Sequence, residues 1–391
     1  MLAYYAVAHA LFRSSIASSP LVAATLLSAA LSVGLGCGPA RSPADDSRPA
    51  AAPAVSGSST LASPPLARMV TAAPIPAQEP PPSLSPPLTS VNRVLPAGEL
   101  AATRFPPADV APPHVRTAAP GDGVWQPVVG PLREGQPLMA RTRLHGHPIR
   151  RDKFIDVVAV DRAYVEPVLV VGSIEPEAPA VPAERRPGLV PVEDHPRLLA
   201  VLNGGFMQRH GKWGMRVGED EFTPPREDGC TIARRRDGTV RIGSHATLAL
   251  GGDVDWYRQT PPCLVEGGKA HERLTREPGN ALWGKAIDGK VDIRRSALAL
   301  DRSGRVLYYV FSEWNNASEL AQALVALGVD VAAELDVNWS YTWFYWIDRK
   351  TGAAPRLRES LVPKTKFDPR WFLERPAERD FFYLRERGPA G

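Results

Sequence analysis

Residues 295–335 read RSALALDRSGRVLYYVFSEWNNASELAQALVALGVDVAAEL. Residues 297–301 and 305–311 are apolar, β-rich runs on either side of Ser303-Gly304, which predicts a hairpin. Leu320, Leu324 and Leu327 then recur at i, i+4 and i+7, which predicts a helix over 318–327. Ser318 can cap its start, and Gly328 can end it in the left-handed conformation. Residues 329–335 return as a strand. Strand, turn, strand, helix, strand in so short a span indicates an α+β fold, mainly antiparallel or mixed sheet with few helices.

The sequence around this stretch agrees. Residues 153–160 and 164–171 are β-rich and separated by a short turn, which predicts a second hairpin. Residues 198–202 form a short apolar strand running into Asn203-Gly204-Gly205. Residues 231–235 and 239–242 flank Asp237-Gly238, a hairpin turn signal. These elements fall within 121–391, long enough for one large domain with a substantial core. The composition changes at Gly121-Asp122-Gly123-Val124-Trp125. Before it, residues 37–120 are rich in Pro, Ala and Ser, with few aromatics and no sustained apolar period. Such a segment cannot bury enough surface to offset its ordering entropy, so it reads as a disordered tether.

Residues 1–36 read as an export signal: Arg13, then an uncharged run from Pro20 to Gly36. Cys37 follows directly, as in the bacterial lipoprotein box, where that Cys is lipidated. The alternatives are an ordinary cleaved signal or an uncleaved single-span anchor. Each puts the domain outside the cytoplasm, in the cell envelope (outer membrane or periplasm) or secreted, with Cys37 or the apolar run as the membrane contact. In an oxidising compartment Cys230 and Cys263 either bridge or remain separate buried thiols.

The 391 residues include 41 Pro, and three Cys exclude a disulfide-dense scaffold and a four-Cys zinc site. A net charge of +4 gives no basis for a nucleic-acid partner.

Four places could carry chemistry. Two glycines after an apolar strand let the backbone at Gly204 and Gly205 approach something closely, with the Asn203 amide at the strand end. Alone, this reads as a tight turn. His210, Lys212 and Arg216 lie on a Gly-punctuated loop suited to an anionic substrate, and His210 could exchange protons near neutral pH; the plain reading is a solvated loop. Arg294 and Arg295 open a strand, so only one can face a given pocket, and Arg295 is expected inward with a fork for phosphate or carboxylate. Glu334, Asp336 and Asn338 would share one strand face. That face forms a site, binds a hard cation such as Ca²⁺, or caps turns. His145-Gly146-His147 has metal-like spacing without a third ligand and reads as a loop. The aromatic run from Trp339 to Trp346 either stacks on sugars or fills the core.

The order of these pieces resembles the phosphodiester glycosidase family: NGGF at 203–206, the GxxGM-like loop, the Asp-Gly hairpin, PCLVEGGK at 262–269, Arg295-Ser296-Ala297, a helix ending in Leu327-Gly328, then Leu335-Asp336. The likeness covers residues 157–346, and the flanks at 121–125 and 371–383 resemble exported bacterial members. It implies hydrolysis of a glycosyl-1-phosphodiester in envelope or extracellular glycans, with no cofactor required. The alternative is a non-catalytic sugar-phosphate-binding surface protein on the same fold. Carried over, Asn203, Gly204, Gly205 and Arg295 would bind substrate, and Asn338, Gln259 and Arg216 are further substrate-binding candidates of this chain. Asp336 would be the anomeric-side carboxylate, with His210 or Glu334 as proton partner. The chain departs from the family where its LDGGGS has become LDVNWS at 335–340, and where Gln208 replaces an Asp. Glu334-Leu335-Asp336-Val337-Asn338 matches an ELDxN variant, which implies a subgroup with altered substrate.

Overall fold

The computed structural model describes residues 104–277, 281–349, 354–365, 368 and 370–388. The export signal, Cys37 and the Pro-rich stretch up to residue 103 lie outside the described residues. Among the described residues no helix is long and apolar enough to cross a membrane.

Three antiparallel sheets dominate. The largest has eight strands in the order Gln126–Pro127, Met139–His145, Phe154–Asp161, Val306–Ser312, Arg295–Leu300, Val331–Glu334, Val265–Glu266 and Lys269–Ala270. A five-stranded sheet runs Val240–Ser244, Cys230–Arg235, Val254–Thr260, Met215–Val217 and Asp220–Thr223. The other five-stranded sheet runs Arg356–Ser360, Phe344–Asp348, Leu198–Asn203, Phe381–Glu386 and Val165–Val170.

The eight-stranded sheet is covered on both faces, and period-two alternation sorts its residues. Leu298 and Leu300 join Val158, Val160, Ile232, Trp256 and Phe344 in the core shared by the three sheets. Ala297 and Ala299 join Val157, Ala159, Leu320, Leu324 and Trp283 on the helix side. Strands buried on both faces read as continuous apolar runs, which is why 297–300 and 306–311 carry so little polarity on either side of the turn. The same alternation sends neighbours Arg295 and Ser296 to opposite faces.

Two of the expected hairpins form, between Cys230–Arg235 and Val240–Ser244 and between Arg295–Leu300 and Val306–Ser312. The third does not. Phe154–Asp161 is flanked by Met139–His145 and Val306–Ser312, so neither of its edges is free. The chain crosses instead to another sheet, where Val165–Val170 pairs with Phe381–Glu386.

The helix spans Ala317–Leu327 and ends at Gly328 with φ +85°. Its cap is Asn316, not Ser318. Asn316 accepts the Glu319 N–H, and the Glu319 carboxylate accepts the Asn316 N–H, so both orphan donors are satisfied. Ser318 is buried.

The packed body also starts before Gly121. Phe105 is buried with Trp125 in the helix-side core, and the Trp125 indole donates to the Ala108 carbonyl at 3.1 Å. Cys230 and Cys263 form a disulfide.

Candidate active site

Three distant segments meet at one point. The Leu198–Asn203 strand ends at Asn203, whose amide oxygen lies 3.2 Å from Ser296 Oγ and accepts from Tyr309 Oη at 3.2 Å and the Trp343 N–H at 3.3 Å. Asn203 Nδ2 donates to the Gly204 carbonyl at 3.2 Å. Ser296 Oγ also reaches the Asp336 carbonyl at 3.3 Å. The Asp336 N–H donates to Gly204 O at 3.0 Å, and the Leu335 N–H to Ser296 O at 2.8 Å. Asn203 and Asp336 are therefore brought together by Ser296, on the face of the sheet opposite Arg295. All three are buried. The Asn203 amide is consumed by this junction and is not presented to a ligand, a correction to its expected role.

Gly204 and Gly205 matter through close approach. A Cβ on Gly204 would lie 2.2 Å from Asp380 Oδ2, and one on Gly205 would lie 2.7 Å from Arg258 Cζ. The Gly205 N–H donates to Asp380 Oδ2 at 2.9 Å, and Arg258 Nε donates to the same oxygen at 2.9 Å. The Gly205 amide is already turned onto a carboxylate, so it is not free to cradle a phosphate.

Arg295 is inward as expected but is not free. Nε donates to Asn315 O, Nη1 to Trp283 O and Glu334 Oε1, and Nη2 to Gly284 O and Val291 O. Its five donors all have partners, so it cannot also grip a phosphodiester. Glu334 is wholly buried in that pair, and burial pushes its carboxyl up to about 7 despite the guanidinium. It is withdrawn from the role of proton partner to Asp336. Arg294, on the other face of the strand, is also buried, with its guanidinium 3.5 Å from the Trp339 ring centroid.

The strand stops at Glu334, so Glu334, Asp336 and Asn338 do not form one acidic face. Asp336 pairs with Arg379, and its Oδ1 accepts the Asn338 N–H at 2.7 Å. Asn338 is exposed and turns its own side-chain oxygen onto the Ser340 N–H at 3.0 Å. The oxygens expected for Ca²⁺ are thus divided between two arginines and a turn. Among the described residues no group of three His, Cys, Asp or Glu could hold a metal.

Arg379 is the site residue that sequence reasoning missed. It donates to Gly205 O at 3.1 Å and lies 4.1 Å over the Tyr341 ring. Burial draws its guanidinium down to about 10. Its Nη1 is buried without a hydrogen-bond partner. Its only signal in the sequence is the Arg-Asp pair preceding an apolar strand, and nothing in the spacing links that pair to Asp336.

His210 sits at the rim, exposed on the single turn Gln208–His210. Partial burial, then the charges of Arg209 and Arg379, hold its imidazole below the usual value. Gln259 is fully buried: Oε1 accepts from Gly214 and Arg226, and Nε2 donates to Arg226 O and Thr231 Oγ1. All its hydrogen-bonding capacity is used in holding loops, so it too leaves the substrate-binding set. Arg216 lines a separate cleft with Glu221, His245 and Tyr257 and is not with Asp336. His145 ends a strand and pairs with Asp122, not with His147. Of the aromatic run, Trp343 to Trp346 are buried, while Trp339 is exposed and Tyr341 half-buried.

No family model matches the chain, and no curated protein matches its sequence. Solved structures do resemble it in part. The catalytic domain of zebrafish N-acetylglucosamine-1-phosphodiester α-N-acetylglucosaminidase, auto-inhibited by its pro-peptide, is 16% identical, with 65% of this chain and 86% of that chain covered and a TM-score of 0.40. A hypothetical protein from Synechocystis is 11% identical, with 65% and 63% covered and a TM-score of 0.35. A Burkholderia pseudomallei K96243 protein named for its expected export is 10% identical, with 59% and 74% covered and a TM-score of 0.26.

Proposed function

We propose that the chain is an exported hydrolase of glycosyl-1-phosphodiesters in envelope or extracellular glycans, tethered to a membrane through Cys37 or the apolar segment before it. Arg379 carries the reading. A buried guanidinium with an orphan Nη1 beside an aspartate is costly unless a ligand supplies the missing acceptor. A phosphodiester oxygen is such an acceptor, and it would place the glycosidic carbon near Asp336. Arg379 then takes the phosphate-binding role that Arg295 cannot fill.

In this scheme substrate draws Arg379 onto the phosphate and frees Asp336 Oδ2. Asp336 takes a proton from a water that attacks the anomeric carbon, the C1–O bond breaks, and the phosphate leaves as an anion on Arg379. Donors fixed on developing charge accelerate such a departure. His210, mainly neutral near pH 7, can relay the proton outward. The Cys230–Cys263 disulfide supports an oxidising compartment.

One observation favours a second reading. Asp336 is occupied by Arg379 and the Asn338 N–H, and no second free carboxylate accompanies it among the residues of the junction. A protein that binds sugar phosphates without cutting them would need no more. A panel of chromogenic glycosyl-1-phosphodiesters separates the two. Release of chromophore that disappears in Asp336→Asn supports the hydrolase. Saturable binding of the same compounds without release sinks it in favour of the binder.

A further inference from the structure

Trp314 and Trp339 are the two tryptophans among the exposed large hydrophobic side chains, 44% and 43% exposed. Their ring centroids are 6.3 Å apart, with the planes tilted by 41°. Trp339 follows Asp336 by three residues, so the two Cα atoms lie within about 11 Å of each other. Trp314 precedes Asn315, whose carbonyl accepts from Arg295 at 2.9 Å. Trp314 comes from a different segment and meets Trp339 ring to ring, so the pair adjoins Asp336 through Trp339.

Trp339 is held in place. The guanidinium of Arg294 covers one face at 3.5 Å from the centroid. Arg294 also donates to Trp339 O at 3.2 Å and Pro363 O at 3.0 Å, and pairs with Glu313 at 3.4 Å. The turn behind it is closed by Tyr341 and Thr342 N–H groups on the Asn338 carbonyl, at 2.8 and 3.0 Å. A fixed indole loses little freedom when a ligand settles on it. Two exposed rings are too small a patch for a stable protein interface. Their chain neighbours Glu313, Asn338 and Ser340 are polar or acidic, which suits hydroxyl edges and does not suit an anionic lipid surface.

We infer that Trp314 and Trp339 form a platform for a pyranose ring, one residue along the glycan from the sugar that carries the phosphodiester. The C–H face of the ring lies on the indoles and its hydroxyls reach the polar edge. The inference rests on the reading of Asp336 as the reaction centre, and it names the substrate as an oligo- or polysaccharide.

The test uses Trp314→Ala, Trp339→Ala and Trp339→Phe in the full chain. Tryptophan fluorescence is titrated with two neutral probes, cellohexaose and chitohexaose. The wild type is expected to give a saturable change with at least one probe, and each Ala variant to weaken it about tenfold. Trp339→Phe should retain most of the affinity, which guards against a folding defect as the cause. No saturable change in the wild type, or unchanged affinity in both Ala variants, overturns the platform. A wild type that binds a probe but releases no chromophore from the phosphodiester panel overturns the hydrolase and leaves the platform standing.

Discussion

Arg295 Nη1 lies 2.6 Å from Glu334 Oε1, and both side chains are fully buried. The pair joins neighbouring strands, since Ala297 is the direct partner of Glu334. It faces the helix side of the sheet, while Ser296 faces Asn203 and Asp336. A conspicuous Arg and Glu thus belong to the scaffold behind the site. Breaking such a pair by removing one partner leaves a buried charge uncompensated, so Glu334→Ala should destabilise by about 3–5 kcal/mol in chemical denaturation.

The same pair predicts a pH dependence. Glu334 has its carboxyl raised by burial from 4.5 to about 7 in the folded protein. The folded state therefore holds the proton more tightly than the unfolded state. The stabilisation is full below about pH 4.5 and is lost as pH rises through about 7, on the order of 3 kcal/mol. Comparing wild type with Glu334→Gln isolates this contribution. The stability difference between them should change across that window and be flat on either side. A difference independent of pH would show that folding does not raise the Glu334 carboxyl.

Asp336 and Arg379 should govern turnover in different ways. Asp336→Asn removes a proton acceptor, and the expected loss in kcat is about 10²–10⁴-fold. Arg379→Lys keeps a charge but loses the planar fork, and should lower kcat/KM by about 10²–10³-fold. Arg295→Lys should act through stability, with activity of the folded fraction preserved. Equal loss of activity per folded molecule in Arg295→Lys and Arg379→Lys would contradict the assignment.

How far the sequence reports this arrangement depends on the range of each interaction. The hairpin at 237–238 and the helix end at Gly328 are local, and local residues announce them. Residues 154–161 and 165–170 are equally strand-like, but their pairing is set by which edges are already occupied, and no short-range pattern records that. The meeting of Asn203, 295–296 and Asp336 is legible because the three motifs occur together in order. Which arginine is free is not legible. That depends on carbonyls of residues 283, 284, 291 and 315 filling the fork of Arg295, and on Arg379 arriving from the segment just before the Phe381–Glu386 strand.

His210 should set the acid limb of the activity profile. Its imidazole is held below the ordinary value of about 6.5, chiefly by burial and then by Arg209 and Arg379. If the neutral ring relays the proton, kcat/KM should rise with pH through a midpoint below 6.5 and then level. In Arg209→Ala the midpoint should move up, because a positive neighbour is removed. In His210→Ala that limb should vanish. A limb unchanged in both variants would assign it to another group.

The junction at Gly204 should tolerate no side chain. A Cβ there would lie 2.2 Å from Asp380 Oδ2 and 2.3 Å from the Asp380 carbonyl oxygen, and Asp380 is itself held by Arg258. Neither neighbour can yield without breaking the Gly205 amide bond to the same carboxylate. Gly204→Ala should therefore cost about 1–3 kcal/mol or more and disturb Arg379, whose Nη2 donates to the Gly205 carbonyl. Gly218→Ala, where nothing lies within 4 Å of the added carbon but φ is +57°, supplies the contrast: backbone strain of about 1–2 kcal/mol with the site intact. Denaturation midpoints and turnover of the two variants, measured together, distinguish a clash that reaches the site from strain that does not. Loss of activity in Gly218→Ala at full folding would show that the distinction fails.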